Sequence, residues 1–163
     1  MTTISVETIE ILNDLIEINN DRIEAYKLAL RDLGEQDSGL SALFIKMIDE
    51  SERNNRVLSR EVDILGGEAE QGTSLEGKIY RAWTNVKTAF TGKTGHHILE
   101  NCEVNEDSAL DAYRTAMQCE ELSDYLREIV SDQLDELLHS HDNIKRARDN
   151  YKPMGGNILG TPR

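Results

Sequence analysis

Glu106 is the residue that first raises a chemical question. Ile98, Cys102, Ala109, Tyr113 and Ala116 recur at helical spacings of three and four, and Glu106 takes the vacant place on that stripe. A carboxylate therefore stands where a long helix should bury an apolar side chain, with Tyr113 two turns along on the same face. Burying an ionised carboxylate is costly unless a partner compensates it. A cation or an arginine would do so; without one, desolvation raises the pKa of the acid. Arg22 and Arg53 are the nearest basic candidates in the sequence pattern.

The elements that must position Glu106 are helices. The chain of 163 residues is the size of one domain with a substantial core, and it has only two Pro and few aromatic residues. Apolar residues Ile9, Leu12, Ile16, Ile23, Tyr26, Leu30 and Leu33 trace a first helix, with Ser5 as its expected N-cap and Gly34 at its end. Asn19 is the polar member of that stripe. A turn at Asp37 opens a second helix whose stripe passes from Met47 through Ser51 and Asn54 to Leu58, ending at Gly66 and Gly67. Leu75, Ile79, Trp83, Val86 and Phe90 mark a shorter helix, read as a crossover between the ends of a bundle. The third long helix carries Glu106 and runs to about Cys119. Ser123 caps the fourth, which passes through Gln133, Glu136 and Ser140 before Pro153. Residues 1–152 are thus expected to form the bundle and 153–163 a flexible tail.

The composition excludes several function classes. A net charge of −13 argues against nucleic acid or an anionic membrane as partner. No apolar run is long enough to span a bilayer, and the N-terminus lacks the basic and apolar regions of a signal peptide. Cys102 and Cys119 are too far apart along a straight helix for a disulfide. Reduced thiols without an export signal point to the cytoplasm. No phosphate loop, nucleophile elbow or Cys-x-x-Cys motif is present, so no catalytic residue is assigned.

The chain also repeats itself. Residues 19–30 align with 106–117, placing Asn19 on Glu106, Ala25 on Ala112 and Tyr26 on Tyr113. Two helix pairs joined by a long crossover make the one-crossover, ferritin-like variety of four-helix bundle. Residues 12–21 with Tyr26, then Leu65, Gly66, Gly67, Arg81 and Trp83, carry a resemblance to a known group. So do Ile98, Cys102, Glu103, Glu106, Asp107, Tyr113, His141, Asp142 and Ile144. Through them the chain resembles the bacterial ferritin-like four-helix-bundle proteins of unknown function, a family with relatives among stress-induced proteins. The resemblance implies an all-α ferritin-like four-helix bundle with a short crossover helix between the second and third long helices. It implies a homo-oligomer, a dimer being the smallest, and a stress-related role.

Di-iron members of the wider superfamily place one Glu on each of two helices and Glu-x-x-His on each of the other two. Against that pattern Glu106 occupies a ligand position, while its partner position holds Asn19 and the second-helix positions hold Ser51 and Asn54. Glu50 and Glu52 are expected to point away, as parts of a solvated acidic face. In the fourth helix Glu136 and His139 form a literal Glu-x-x-His, but the smoother stripe puts Gln133 and Glu136 in the two positions. Two readings stay open. In one the di-iron site is degenerate, and Asn19, Tyr26, Ser51, Asn54, Tyr113 and Gln133 form a buried polar layer that fixes helix register; the protein is then non-catalytic or weakly metal-binding. In the other a single divalent metal, iron by donor type, is held by Glu106, Glu136 and His139 in an oxidoreductase or ferroxidase-like protein.

His96, His97, His141 and Asp142 read as surface or hydrogen-bonding groups, and the two Cys as core fillers. Trp83 reads as the residue that pins the crossover. The tail, with Ile158 and Leu159 among Gly residues, is similar to the cargo peptides by which ferritin-like proteins dock inside encapsulin shells. The favoured reading is nonetheless a frayed chain end.

Overall fold

The computed structural model describes residues 3–35, 37–69, 77, 79–80, 83 and 94–151. Four long helices account for most of them: α1 Thr3–Leu33, α2 Ser38–Ile64, α3 Gly95–Met117 and α4 Asp124–Asn150. This is an all-α four-helix bundle. α1 packs along α2 and α3 along α4, with α1 also crossing α3, while the α2–α4 seam is the sparsest.

The helix ends follow from local chemistry. Gly34 adopts φ +60° and its N–H closes on the Leu30 carbonyl at 3.0 Å, a left-handed stop that favours glycine. The Asp37 carboxylate accepts from the Leu40 N–H at 3.0 Å, and the Ser123 hydroxyl from the Leu126 N–H at 3.2 Å. Two boundaries differ from the sequence expectation. α1 already begins at Thr3, so Ser5 lies inside its first turn, and α3 ends at Met117, ahead of Cys119. Cys102 and Cys119 are both buried and free.

The interior is divided along its length. One apolar cluster contains Leu12, Leu15, Ile18, Leu58, Val62, Ala109, Tyr113, Val130 and Leu137; a second contains Tyr26, Leu33, Leu40, Phe44, Met47, Ile98, Leu99 and Ile144. Between them lie buried polar and charged side chains from all four helices: Asn19, Arg22, Glu50, Ser51, Asn54, Glu106, Gln133 and Ser140.

Of the crossover, Gly77, Ile79, Tyr80 and Trp83 are described, and all are buried. They are seated by α1. The Asp14 carboxylate accepts from the backbone N–H groups of Gly77, Ile79 and Tyr80 at 2.9, 3.2 and 3.2 Å. One oxygen of Asp21 accepts from the Tyr80 hydroxyl and the Trp83 indole, both at 2.8 Å. Trp83 does pin this stretch. A Cβ at Gly77 would come within 2.3 Å of an Asp14 oxygen, so only glycine allows the approach. Replacing Asp14 with Ala leaves buried N–H groups without an acceptor, which costs about 2–4 kcal/mol. Urea unfolding followed through Trp83, the only tryptophan, should show the lower midpoint together with a red-shifted native emission. An unchanged midpoint and emission would mean that apolar contacts alone seat the crossover.

Candidate functional site

Arg22 lies at the centre of the polar band. On α1 it follows Asn19 by three residues and precedes Tyr26 by four, which puts all three on one face. Its guanidinium grips Glu106 side-on: Nε to one carboxylate oxygen and Nη2 to the other, both at 2.9 Å. Nη1 donates to the Ser51 hydroxyl at 2.7 Å, and Nη2 approaches Glu50 at 3.4 Å. The Ser140 hydroxyl donates to the far oxygen of Glu50 at 2.7 Å. Five side chains, one or more from each helix, are thus joined around one guanidinium. Arg22 is 1 % exposed, Glu106 1 % and Glu50 3 %.

One helical turn nearer the α1 N-terminus, a neutral network continues the band. Asn19 donates to the Tyr113 hydroxyl at 2.8 Å and to the Leu15 carbonyl at 2.9 Å. Tyr113 donates to Gln133 at 2.7 Å, and Gln133 donates to the Asn54 carbonyl at 3.3 Å. Asn54 reaches Asn19 at 3.5 Å, a weak closure of the ring. The repeat-related Tyr26 is treated differently: its buried hydroxyl makes no hydrogen bond of good geometry, and Glu106 is close enough to oppose its ionisation.

Electrostatics follow from this burial. Desolvation works against the charge on Arg22, but Glu106, Tyr26 and Glu50 together outweigh it, so the arginine is held protonated even more firmly than in water. Burial and then Glu106 push the Tyr26 phenol and the Cys102 thiol up, and burial does the same to Tyr113. None of these three is a poised acid or nucleophile at neutral pH. Burial also raises the Glu50 carboxyl above its ordinary 4.5, with Glu106 acting in the same direction and Arg22 and Ser140 acting against it.

The structure places the remaining sequence candidates elsewhere. Glu136 is about half exposed, 45 % by side chain, and pairs with Arg53 across the α2–α4 seam at 3.0 Å. His139 faces solvent, while Gln133, Leu137, Ser140 and Ile144 form the buried stripe of α4. Glu106, Glu136 and His139 are therefore not brought together, and among the described residues no three His, Cys, Asp or Glu side chains converge as a metal cluster. Asn19, Tyr26, Ser51, Asn54, Tyr113 and Gln133 are all buried in or beside the band. His96 and His97 are exposed, and His141 contacts Asp107 and Asp142. Ile158 and Leu159 lie outside the described residues.

Two residues are corrected or newly placed. Glu50 is no part of a solvated face: the long side chain folds inward past the small Ser51, whereas Glu52 stays exposed. Of the two arginines the sequence offered as partners for Glu106, Arg22 takes that place, and Arg53 pairs with Glu136. A cleft of about 360 Å³ opens between α2 and α4 over Asn54 and Gln133, with Arg53 and Glu136 among its lining residues; neither Arg22 nor Glu106 lines it.

With the geometry in place, comparison identifies the lineage. Residues 7–119 match the DUF2383 family, described as a domain of unknown function. The chain belongs to that family. No curated protein matches it. Among solved structures it is similar to a point mutant of Dps1 from Mycobacterium smegmatis, with a TM-score of 0.77 at 10 % identity over 91 % of this chain and 99 % of that one. It is also similar to a ferritin-like, diiron-carboxylate protein from Bacillus anthracis str. Ames, with a TM-score of 0.64 at 19 % identity over 91 % of this chain and 99 % of that one. At these identities the likeness establishes a ferritin-like fold.

The buried pair should behave as a unit in this DUF2383 protein. Glu106→Gln and Arg22→Met each strand a buried charge, at about 3–5 kcal/mol. The double variant should lose clearly less than the sum, giving a large coupling in a double-mutant cycle of denaturant unfolding. Simple additivity would show that the pair contributes nothing jointly. Glu50 predicts a pH dependence. Its raised folded pKa favours folding most below pH 4.5, and that contribution is lost as pH rises through the folded value. Glu50→Gln, which cannot ionise, should therefore show a smaller fall in unfolding free energy from pH 4.5 to neutrality than the parent. Equal slopes would show that Glu50 titrates alike in both states.

Proposed function

We propose that this DUF2383 protein is a ferritin-like bundle that works without a di-iron centre, as a non-catalytic helical protein whose middle is closed by its own side chains. The observation that supports this most directly is the Arg22 guanidinium seated on both oxygens of Glu106. Glu106 stands where the ferritin-like pattern places a metal ligand, and its carboxylate is already committed to an internal cation.

The donor set does not fit a pair of irons. Iron sites of this kind need several carboxylates and imidazoles converging from four helices. Here the corresponding places hold the amides of Asn19, Asn54 and Gln133 and the hydroxyl of Ser51, bonded to one another, to Tyr113 or to Arg22. The single-metal reading would require Glu136 to leave Arg53 and His139 to turn inward from solvent. A homo-oligomer, a cytoplasmic setting and a stress-related role belong to the same proposal. They rest on likeness to the ferritin-like proteins, and for the cytoplasm on two buried free thiols as well.

Metal analysis of the purified protein, together with a ferrous-oxidation assay, tests this reading. The expected result is less than stoichiometric iron and no acceleration of ferrous oxidation over buffer. One or two irons per chain, lost on Glu106→Ala, would overturn it.

A further inference from the structure

The groups around Arg22 are held in place by elements other than Arg22. Glu106 projects from α3, and Glu50 and Ser51 from α2, while Ser140 of α4 fixes the outer oxygen of Glu50 at 2.7 Å. Their acceptor atoms converge on one plane of N–H groups at 2.9, 2.9, 2.7 and 3.4 Å. Two carboxylates face a single positive charge, so ionising both leaves the centre in negative excess. Beside them Tyr26 is 2 % exposed, its hydroxyl lies near Glu106 without a hydrogen bond of good geometry, and its ring centroid lies 5.9 Å from the guanidinium carbon. An aromatic face, a side-on carboxylate, a second carboxylate and a hydroxyl together match a flat, charged fork of N–H donors.

We infer that Glu50, Ser51 and Glu106, with the Tyr26 ring, form a binding site for a guanidinium-type cation, and that Arg22 is its tethered occupant. The inference rests on the reading that the centre is closed by protein groups. It adds what the site recognises: planarity and charge together. A lysine ammonium offers the charge without the fork, and a neutral urea the fork without the charge. Tethering supplies the occupant at high effective concentration, so no free ligand competes in the parent protein. Shortening residue 22 vacates the site and leaves the acceptors standing.

Chemical rescue tests this. Thermal unfolding of Arg22→Ala is measured with guanidinium chloride, urea or sodium chloride at about 10 mM, in the millimolar range typical of tethered ligands. Guanidinium should raise the midpoint of Arg22→Ala by several degrees in a saturable way, as a ligand specific to the folded state does. Urea and sodium chloride should not. The parent protein and Arg22→Ala/Glu106→Gln should show no rise with any of the three. If Arg22→Ala is unfolded alone, recovery of helical circular dichroism is followed instead, and guanidinium alone should restore it. Arg22→Lys should be less stable than the parent. No rescue, equal rescue by urea or salt, persistence in the double variant, or an Arg22→Lys as stable as the parent would each overturn the inference. Stoichiometric iron in the parent would instead remove the reading beneath it, whereas a metal-free parent with no rescue defeats this inference alone.

Discussion

A guanidinium bonded side-on to a carboxylate in a dry interior tolerates little movement. Both N–H···O bonds linking Arg22 to Glu106 must keep their length and direction together, so α1 and α3 cannot slide by a residue without breaking both. Breaking them leaves two charges with no water to turn to, which is far more costly than losing an apolar contact. The constraint spreads from this pair. Ser51 ties α2 to the same guanidinium, and Glu50 relays it to Ser140 on α4. Register across the whole bundle is thereby fixed at one level, which apolar stripes alone specify only loosely.

The same arrangement sets the protonation of the groups around it. Each potentially reactive group is either neutralised or held in its uncharged form. Arg22 stays protonated, and the Tyr26 and Tyr113 phenols and the Cys102 thiol are shifted away from ionisation by burial. The fold shared with the diiron-carboxylate protein is retained, while its middle is filled with hydrogen bonds internal to the chain. The helix packing that defines the fold depends on the apolar stripes on either side of the site and does not by itself fix the chemistry between them.

Much of this was legible in the sequence because helical periodicity exposes polar intruders. Asn19, Ser51, Asn54, Glu106 and Gln133 all interrupt apolar stripes, and all are buried where the four helices meet at one level. The failures have physical causes. Glu50 lies one residue off the stripe, and stripe counting follows Cα directions; it does not see that a glutamate has reach enough to bend back over a serine. Of the two arginines the pattern offered Glu106, Arg22 is its partner and Arg53 pairs with Glu136 instead; stripe counting alone did not choose between them. The fourth helix offered two registers. Both put Glu136 inside; the structure keeps Gln133, Ser140 and Ile144 of the smoother stripe but buries Leu137 in place of Glu136, leaving His139 exposed and Glu136 paired with Arg53. The seating of the crossover by Asp14 and Asp21 gave no sequence signal, since its acceptors serve backbone and indole N–H groups more than sixty positions away.

A core in two pieces affects how the molecule comes apart. Apolar side chains interlock within each piece and meet across the band only through polar neighbours, so one end can loosen while the other stays packed. Among the described residues the piece holding Leu12, Leu15 and Leu137 is the larger, and it includes the crossover residues Ile79, Tyr80 and Trp83. The opposite piece, where Leu33, Leu40 and Phe44 close the α1–α2 turn, is the smaller of the two among the described residues. Cys102 belongs to one piece and Cys119 to the other, so a local opening that bares one of the two free thiols leaves the other covered.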